Sequence, residues 1–173
     1  MSIDPRANAP ERIAAPAPLP HVSRRALKRV KNPLPIPTAC RYCGDSVVLV
    51  NNSEIYNGRT YGDWPYAYLC SGCRAYVGLH PDTDIPLGTL ANDQLRKDRN
   101  ASKAVFHRLK EDRGFSRTLA YQWLAGQMGI SVDECHFGWF EHEQCAQASR
   151  VCLDDMSANS TMAAAFSKAR GRV

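Results

Sequence analysis

The sequence predicts an α+β protein in which a small β unit precedes a helical subdomain of three to four helices. Three observations carry this. Cys40, Cys43, Cys70 and Cys73 stand as two C-x-x-C pairs, the segment between the pairs has strand and turn chemistry, and past residue 88 the apolar spacing changes from period two to helical. A C-x-x-C turn points two sulfurs at a common centre, so two such turns supply the four soft ligands of a tetrahedral metal. The four cysteines therefore read as the site of one structural zinc ion, and the β unit as a zinc ribbon spanning residues 39–80. Four protein ligands leave no coordination position for water or substrate.

Within the ribbon, Val47 to Val50 are aliphatic strand residues, Asn51-Asn52-Ser53 is a turn, and Tyr66-Ala67-Tyr68-Leu69 alternates into the second pair. The 26 residues between the pairs suit a strand pair. Gly44 and Gly72 stand where backbone N–H groups approach the thiolates. A redox C-x-x-C normally occurs once, beside a βαβ pattern that is missing here, and a disulfide pair belongs to a secreted domain. Tyr56, Tyr61, Trp64, Tyr66, Tyr68 and Tyr76 make the ribbon aromatic enough that some rings must stay near the surface, where bases or a protein partner can meet them. Trp64-Pro65 reads as a rigid anchor.

Upstream, residues 1–38 form a basic, proline-rich arm. It holds seven Lys and Arg against two acids, while residues 40–173 hold 15 of each, so the net charge of +5 sits entirely in the arm. Its Pro and Ala content predicts a flexible segment. Arg24, Arg25, Lys28, Arg29 and Lys31 could gain a helical turn or two on contact with phosphates. Asn32 to Thr38 reads as a polyproline strap into the first cysteine turn.

Downstream, residues 81–156 form the helical subdomain. Pro81 to Gly88 is a connector, Thr89 or Asn92 caps a helix running to about Arg113, and Gly114 closes it. Leu95, Ser102, Val105, Phe106 and Leu109 share one face of that helix. Arg96, Arg99 and Lys103 lie on another as candidate phosphate contacts. Ser116 caps the helix Arg117 to Met128, with Leu119, Ala120, Trp123 and Leu124 buried and Gly129 as its stop. Ser131 to Glu134 has the form of a capping box that starts another helix. That arrangement resembles a helix-turn-helix, but Asp133, Glu134 and Glu141 would repel phosphate, which favours an ordinary helical hairpin. A last helix from about Glu141 to Asp155 buries Cys145, Val151, Cys152 and Met156. Residues 157–173, ending in Lys168, Arg170 and Arg172, read as a C-terminal helix or tail. Cys135, His136, His142 and Cys145 invite a second metal site, but they lack paired turns.

The chain carries no apolar run near the ~20 residues of a membrane span, and its N-terminus has no signal-peptide core. Seven cysteines, an odd number, suit a reducing compartment, so a cytoplasmic location with no membrane partner is expected. No positioned nucleophile or open metal points to an enzyme.

The run Cys40-Arg41-Tyr42-Cys43-Gly44, then Tyr68-Leu69-Cys70-Ser71-Gly72-Cys73 through His80, then Pro86 to Ala91, and later Ala120 to Ala125 and Cys135 to Phe140, resembles an uncharacterised family of zinc-finger-containing proteins of bacteria and phages. The likeness covers roughly residues 39–150 and leaves the arm outside it. It implies a zinc module in a bacterial host cell, with its function open. The reading that emerges is a non-enzymatic, zinc-stabilised binding protein whose partner is nucleic acid. The alternative is a protein-protein module docking on a host complex such as RNA polymerase or a defence system, which the charge balance past residue 39 favours.

Overall fold

The computed structural model describes residues 2–170, with side chains as far as residue 158. Its element order is the expected α+β arrangement, with a one-turn helix α1 (Arg24–Leu27) ahead of a three-stranded sheet, β1 (Val47–Asn51), β2 (Tyr66–Cys70) and β3 (Tyr76–Gly78). The helices α2 (Asp93–Asp112), α3 (Arg117–Met128) and α4 (His142–Arg170) follow. Two compact units divide the chain between Gln94 and Leu95. The connector after residue 80, assigned from sequence to the helical part, therefore belongs with the sheet: Thr83, Asp84, Ile85, Leu90 and Ala91 are buried there, and Ala91 bridges to Tyr76.

In the first unit the sheet is antiparallel in the order β1-β2-β3. Its hydrophobic side gathers Tyr68, Val77, Leu79 and Leu90 together with Leu19 from the N-terminal segment. That segment is the main departure from the sequence reading of residues 1–38. Instead of a flexible arm, it packs Ala7, Leu27 and Val30 against Ile85. Arg6 locks it in place by donating to Asp84 Oδ2 and Oδ1 at 2.7 and 2.8 Å and to Asp4 Oδ2 at 2.7 Å. Ser23 N donates to Asp82 O at 2.8 Å. The physical reason is that prolines already restrict the unfolded chain, so ordering an irregular segment costs less entropy, and a few well-placed apolar side chains suffice.

In the second unit both interhelical breaks close in the same way. Gly114 (φ +61°) and Gly129 (φ +68°) take the left-handed conformation. Around them Phe115 N reaches Lys110 O and Ile130 N reaches Ala125 O, capping the last carbonyls of α2 and α3. At the other end of α3, Ser116 Oγ accepts from Leu119 N at 3.2 Å. The core joins Phe106 and Leu109 to Ala120, Leu124, Phe137, Phe140 and Cys152.

Three expectations fail here. Leu119 is 48% exposed, and Ala125 and Met128 are buried in its place. The Ser131–Glu134 box forms only its reach-back half: Ser131 N and Oγ donate to Glu134 Oε2 at 3.1 and 2.8 Å, but Glu134 N donates to Ser131 O instead of its hydroxyl, and no helix follows. The next residues, Cys135, Phe137 and Phe140, are all drawn into the core at a spacing one helix face cannot satisfy, so residues 131–141 turn irregularly. That removes the helix-turn-helix alternative. The last helix runs on well past Asp155 to Arg170, started by Gln144 Oε1 accepting from Glu141 N at 2.9 Å. The side chains of Lys168 and Arg170, and all of Arg172, lie outside the described residues. No helix among the described residues is long and apolar enough to cross a membrane.

Candidate functional site

Strand register brings the cysteines together. The first C-x-x-C turn leads into β1 and β2 leads into the second. Because Val47 pairs with Cys70 and Asn51 with Tyr66, both turns fall at one end of the hairpin. They share one backbone design: Cys40 N donates to Asp45 O and Cys70 N to Ala75 O, each at 2.8 Å. In both, the residue after the second cysteine is left-handed, Gly44 at φ +83° and Arg74 at φ +63°. Arg74 is an uncommon occupant of that region, and its guanidinium donates to Glu54 O. Gly72 serves differently from expectation. A Cβ there would lie 1.7 Å from Asp45 Oδ2, so its role is to let the Asp45 side chain cross the second turn. Ser71 N and Oγ both donate to Ser46 O, tying the turns together.

The four sulfurs lie within 4.8 Å of one another. Cys40–Cys73 is 3.5 Å, Cys43–Cys70 3.4 Å and Cys70–Cys73 3.6 Å. These spacings are far beyond a disulfide's ~2.05 Å and close to the ~3.8 Å edge of a tetrahedron built on ~2.3 Å zinc–sulfur bonds. The residues fit one zinc ion. The Ala75 amide lowers the Cys73 pKa, but slight desolvation of its sulfur and the hydrogen bonds with Cys40, Cys70 and Cys43 push it up to about 12, so a metal must displace shared protons from this cluster. With Cys40 and Cys70 buried and Cys43 and Cys73 exposed, the site is anchored on one side and open to solvent on the other.

Among the described residues this is the one group of three or more ligand-type side chains that converges. The second candidate cluster does not assemble. Burial pushes the Cys135 thiol up to about 11 and raises that of Cys145, which keeps both as neutral core groups. His136 packs on Trp139 with ring centroids 4.5 Å apart, and His142 Nδ1 pairs with Asp98 Oδ2 at 2.5 Å.

The sequence-assigned basic residues divide. Arg24, Arg25, Lys28, Arg29 and Lys31 are all exposed, on and just after α1, while Ala26, Leu27 and Val30 face inward. Arg24 also braces the loop before it by donating to Pro10 O and Glu11 O. Beside α1 opens a cleft of about 820 Å³ whose lining includes Arg12, His21, Ser23, Arg24 and Arg25. In the second unit Arg96 is half-buried and Lys103 exposed. Arg99 is not a surface group at all. It is 8% exposed, donating through Nε to Phe140 O at 2.8 Å and lying 3.9 Å from Glu141. The signal was present in the spacing: Leu95, Arg99, Ser102, Phe106 and Leu109 fall at steps of four and three, which places Arg99 on the core stripe.

Of the ribbon aromatics, Tyr68 is buried and donates to Asp84 O at 2.7 Å. Trp64 Nε1 donates to Thr83 O at 2.9 Å, the anchor its sequence suggested. Tyr56 and Tyr61 remain exposed and meet edge to face at 5.1 Å, with Tyr56 in turn touching Tyr76.

Neither curated proteins nor solved structures give a match to this chain. A family model for a zinc-finger-containing domain matches residues 36–155, which begins in the proline strap, takes in all four cysteines and ends within α4. The basic segment carrying α1 precedes the matched span. By that match, and by the convergent thiolate geometry, the chain belongs to the zinc-finger-containing domain family.

Proposed function

We propose that the protein is a non-enzymatic nucleic-acid-binding protein whose sheet is stabilised by a structural zinc ion. One observation carries this reading. Arg24, Arg25, Lys28, Arg29 and Lys31 project outward from a segment already fixed by Ala26, Leu27 and Val30 beneath it, so a phosphate backbone would meet an ordered cationic surface. Preordering lowers the entropic cost of binding. Tyr56 and Tyr61 offer exposed rings on which unpaired bases can stack. A metal with four protein ligands stiffens this scaffold and takes no part in chemistry.

The test is fluorescence anisotropy with single- and double-stranded oligonucleotides over a range of salt. Each neutralised phosphate contributes a log–log slope of about −0.7 to −0.9. Substituting Arg25, Lys28, Arg29 and Lys31 by Gln should flatten the slope by about three. Charge substitution is preferable to deletion, since removing residues 1–31 would uncover Ile85. Affinity that is flat with salt, or unmoved by the four substitutions, would sink the proposal. A protein partner is the second reading, favoured by the equal numbers of acids and bases past residue 39 and by exposed Val48, Tyr56 and Tyr61. It predicts capture of a host complex that survives nuclease treatment and the charge substitutions.

A further inference from the structure

The second unit holds a cavity of about 320 Å³ between α2 and α3, lined by Lys103, Phe106, His107, Lys110, Arg117 and Tyr121. Its composition stands out against a background of balanced charge. Three permanent cations and a histidine line it and no carboxylate does; Glu111 and Asp112, on the last turn of α2, fall outside the lining. Neighbouring cations are already committed, Arg99 of α2 to Phe140 O and Glu141, and Arg113 just past its end to Asp155 at 2.6 Å. Among the described residues, no carboxylate pairs with Lys103, His107, Lys110 or Arg117. Cations gathered around a concavity and left unneutralised repel one another, and an anion relieves that repulsion.

The walls narrow the anion's class. Phe106 and Tyr121 meet at 5.0 Å to form an aromatic floor. The Arg117 guanidinium lies 5.9 Å from the Tyr121 ring centroid, adding a flat cationic surface. Arg and aromatic planes together suit a nucleobase, while Lys103 and Lys110 suit phosphate as point charges. The volume is at the small end of the roughly 300–1,000 Å³ typical of small-molecule sites, room for one nucleotide unit. From these observations we infer that the cavity is a phosphate-binding pocket for a single nucleotide unit, with the phosphate among Lys103, His107, Lys110 and Arg117 and the base against Arg117 and Tyr121. That unit can be a free nucleotide or part of a strand. The pocket belongs to the second unit and α1 to the first, and the inference stands whether or not α1 contacts nucleic acid.

The test uses the full, zinc-loaded chain and follows the amide and side-chain signals of the pocket by NMR. The probes are inorganic phosphate, adenosine 5′-monophosphate, and a short oligonucleotide with and without a 5′-phosphate. The mononucleotide should shift the pocket signals at lower concentration than phosphate does. Lys103→Gln, Lys110→Gln and Arg117→Gln together should weaken it by about tenfold or more, as loss of charge-assisted hydrogen bonds requires. Arg150→Gln, an exposed charge removed from α4, should leave it unchanged. Shifts from the mononucleotide assign a free-nucleotide ligand, and shifts from the oligonucleotide alone assign a strand. No shift with any probe, or equal shifts in the triple variant with its zinc content and spectrum intact, would overturn the assignment.

Discussion

Replacing Arg6 by alanine tests whether the N-terminal segment is held or merely adjacent. Arg6 bridges Asp4 and Asp84, and the Asp84 side chain is only 3% exposed whereas that of Arg6 is 36% exposed. Removing one partner of a fully buried pair costs about 3–5 kcal/mol, and a solvent-exposed pair is worth about 0–1 kcal/mol. This pair is intermediate: screening discounts the Arg6 side, but the substitution strands a buried carboxylate. We therefore expect a cost of about 2 kcal/mol. The loss should appear first as local opening, because Ala7, in the turn that Arg6 pins, packs with Leu27 and Val30. Amide exchange at Leu27, Lys28 and Val30 should accelerate by about 30-fold, the equivalent of that free energy. The Ala120 amide, bonded to Ser116 O in the other unit, is the internal control. Exchange at Leu27 and Val30 changing by less than about threefold would mean that the Arg6 clasp does not hold the segment. The clasp also has an acid limit. The Arg6 hydrogen bond holds the Asp4 carboxyl below the ordinary 3.8, so its contribution is complete above that value and fades as pH falls through the lowered one.

Four further outcomes are expected. Freshly purified, reduced protein should carry one zinc per chain by metal analysis, and Cys73→Ser should lose tight binding together with the dispersed sheet signals in NMR, since structural zinc contributes on the order of 10 kcal/mol or more to folding. Gly72→Ala should cost stability by displacing Asp45, and in the Asp45→Ala background, where only the 3.3 Å approach to the residue 45 Cβ remains, the same change should cost much less in urea titration. Burial pushes the Tyr68 hydroxyl up to about 12 from 10.0, so its stabilisation is intact below pH 10 and is lost as pH rises through about 12; Tyr68→Phe should abolish that alkaline step in a thermal-melt series. Leu124→Ala should destabilise by about 2–5 kcal/mol, against about 0.5 kcal/mol or less for Leu119→Ala, reversing the equal burial their sequence positions suggest.

What could be read from the chain was local. Metal ligation by a C-x-x-C turn depends on four adjacent residues, and helix α3 ends where Ser116 and Gly129 supply side-chain and left-handed caps, so both were evident without a fold. The left-handed position after each second cysteine was legible in one turn alone: Gly44 is suited to it, whereas Arg74 fills the same place in the other turn and donates to Glu54 O. Failures arose wherever a residue's environment depended on distant chain. Arg99 carries a surface side chain on a core stripe and is accommodated because Phe140 O, 41 residues away, accepts its Nε hydrogen.

Residues 131–141 show the same division from the other side. Their capping box is half formed, with the Glu134 carboxylate accepting from Ser131 N, and burial of Cys135, Phe137 and Phe140 outweighs the weak preference for continuing a helix. Residue order was enough to place the metal ligands, the succession of sheet and helices, and the net positive charge. It took the folded chain to show which cations face solvent, which are consumed in holding the fold, and that the proline-rich segment is packed. The reason is that chelation and capping act over a few residues, whereas burial is shared among side chains far apart in the chain, so only the folded arrangement assigns it.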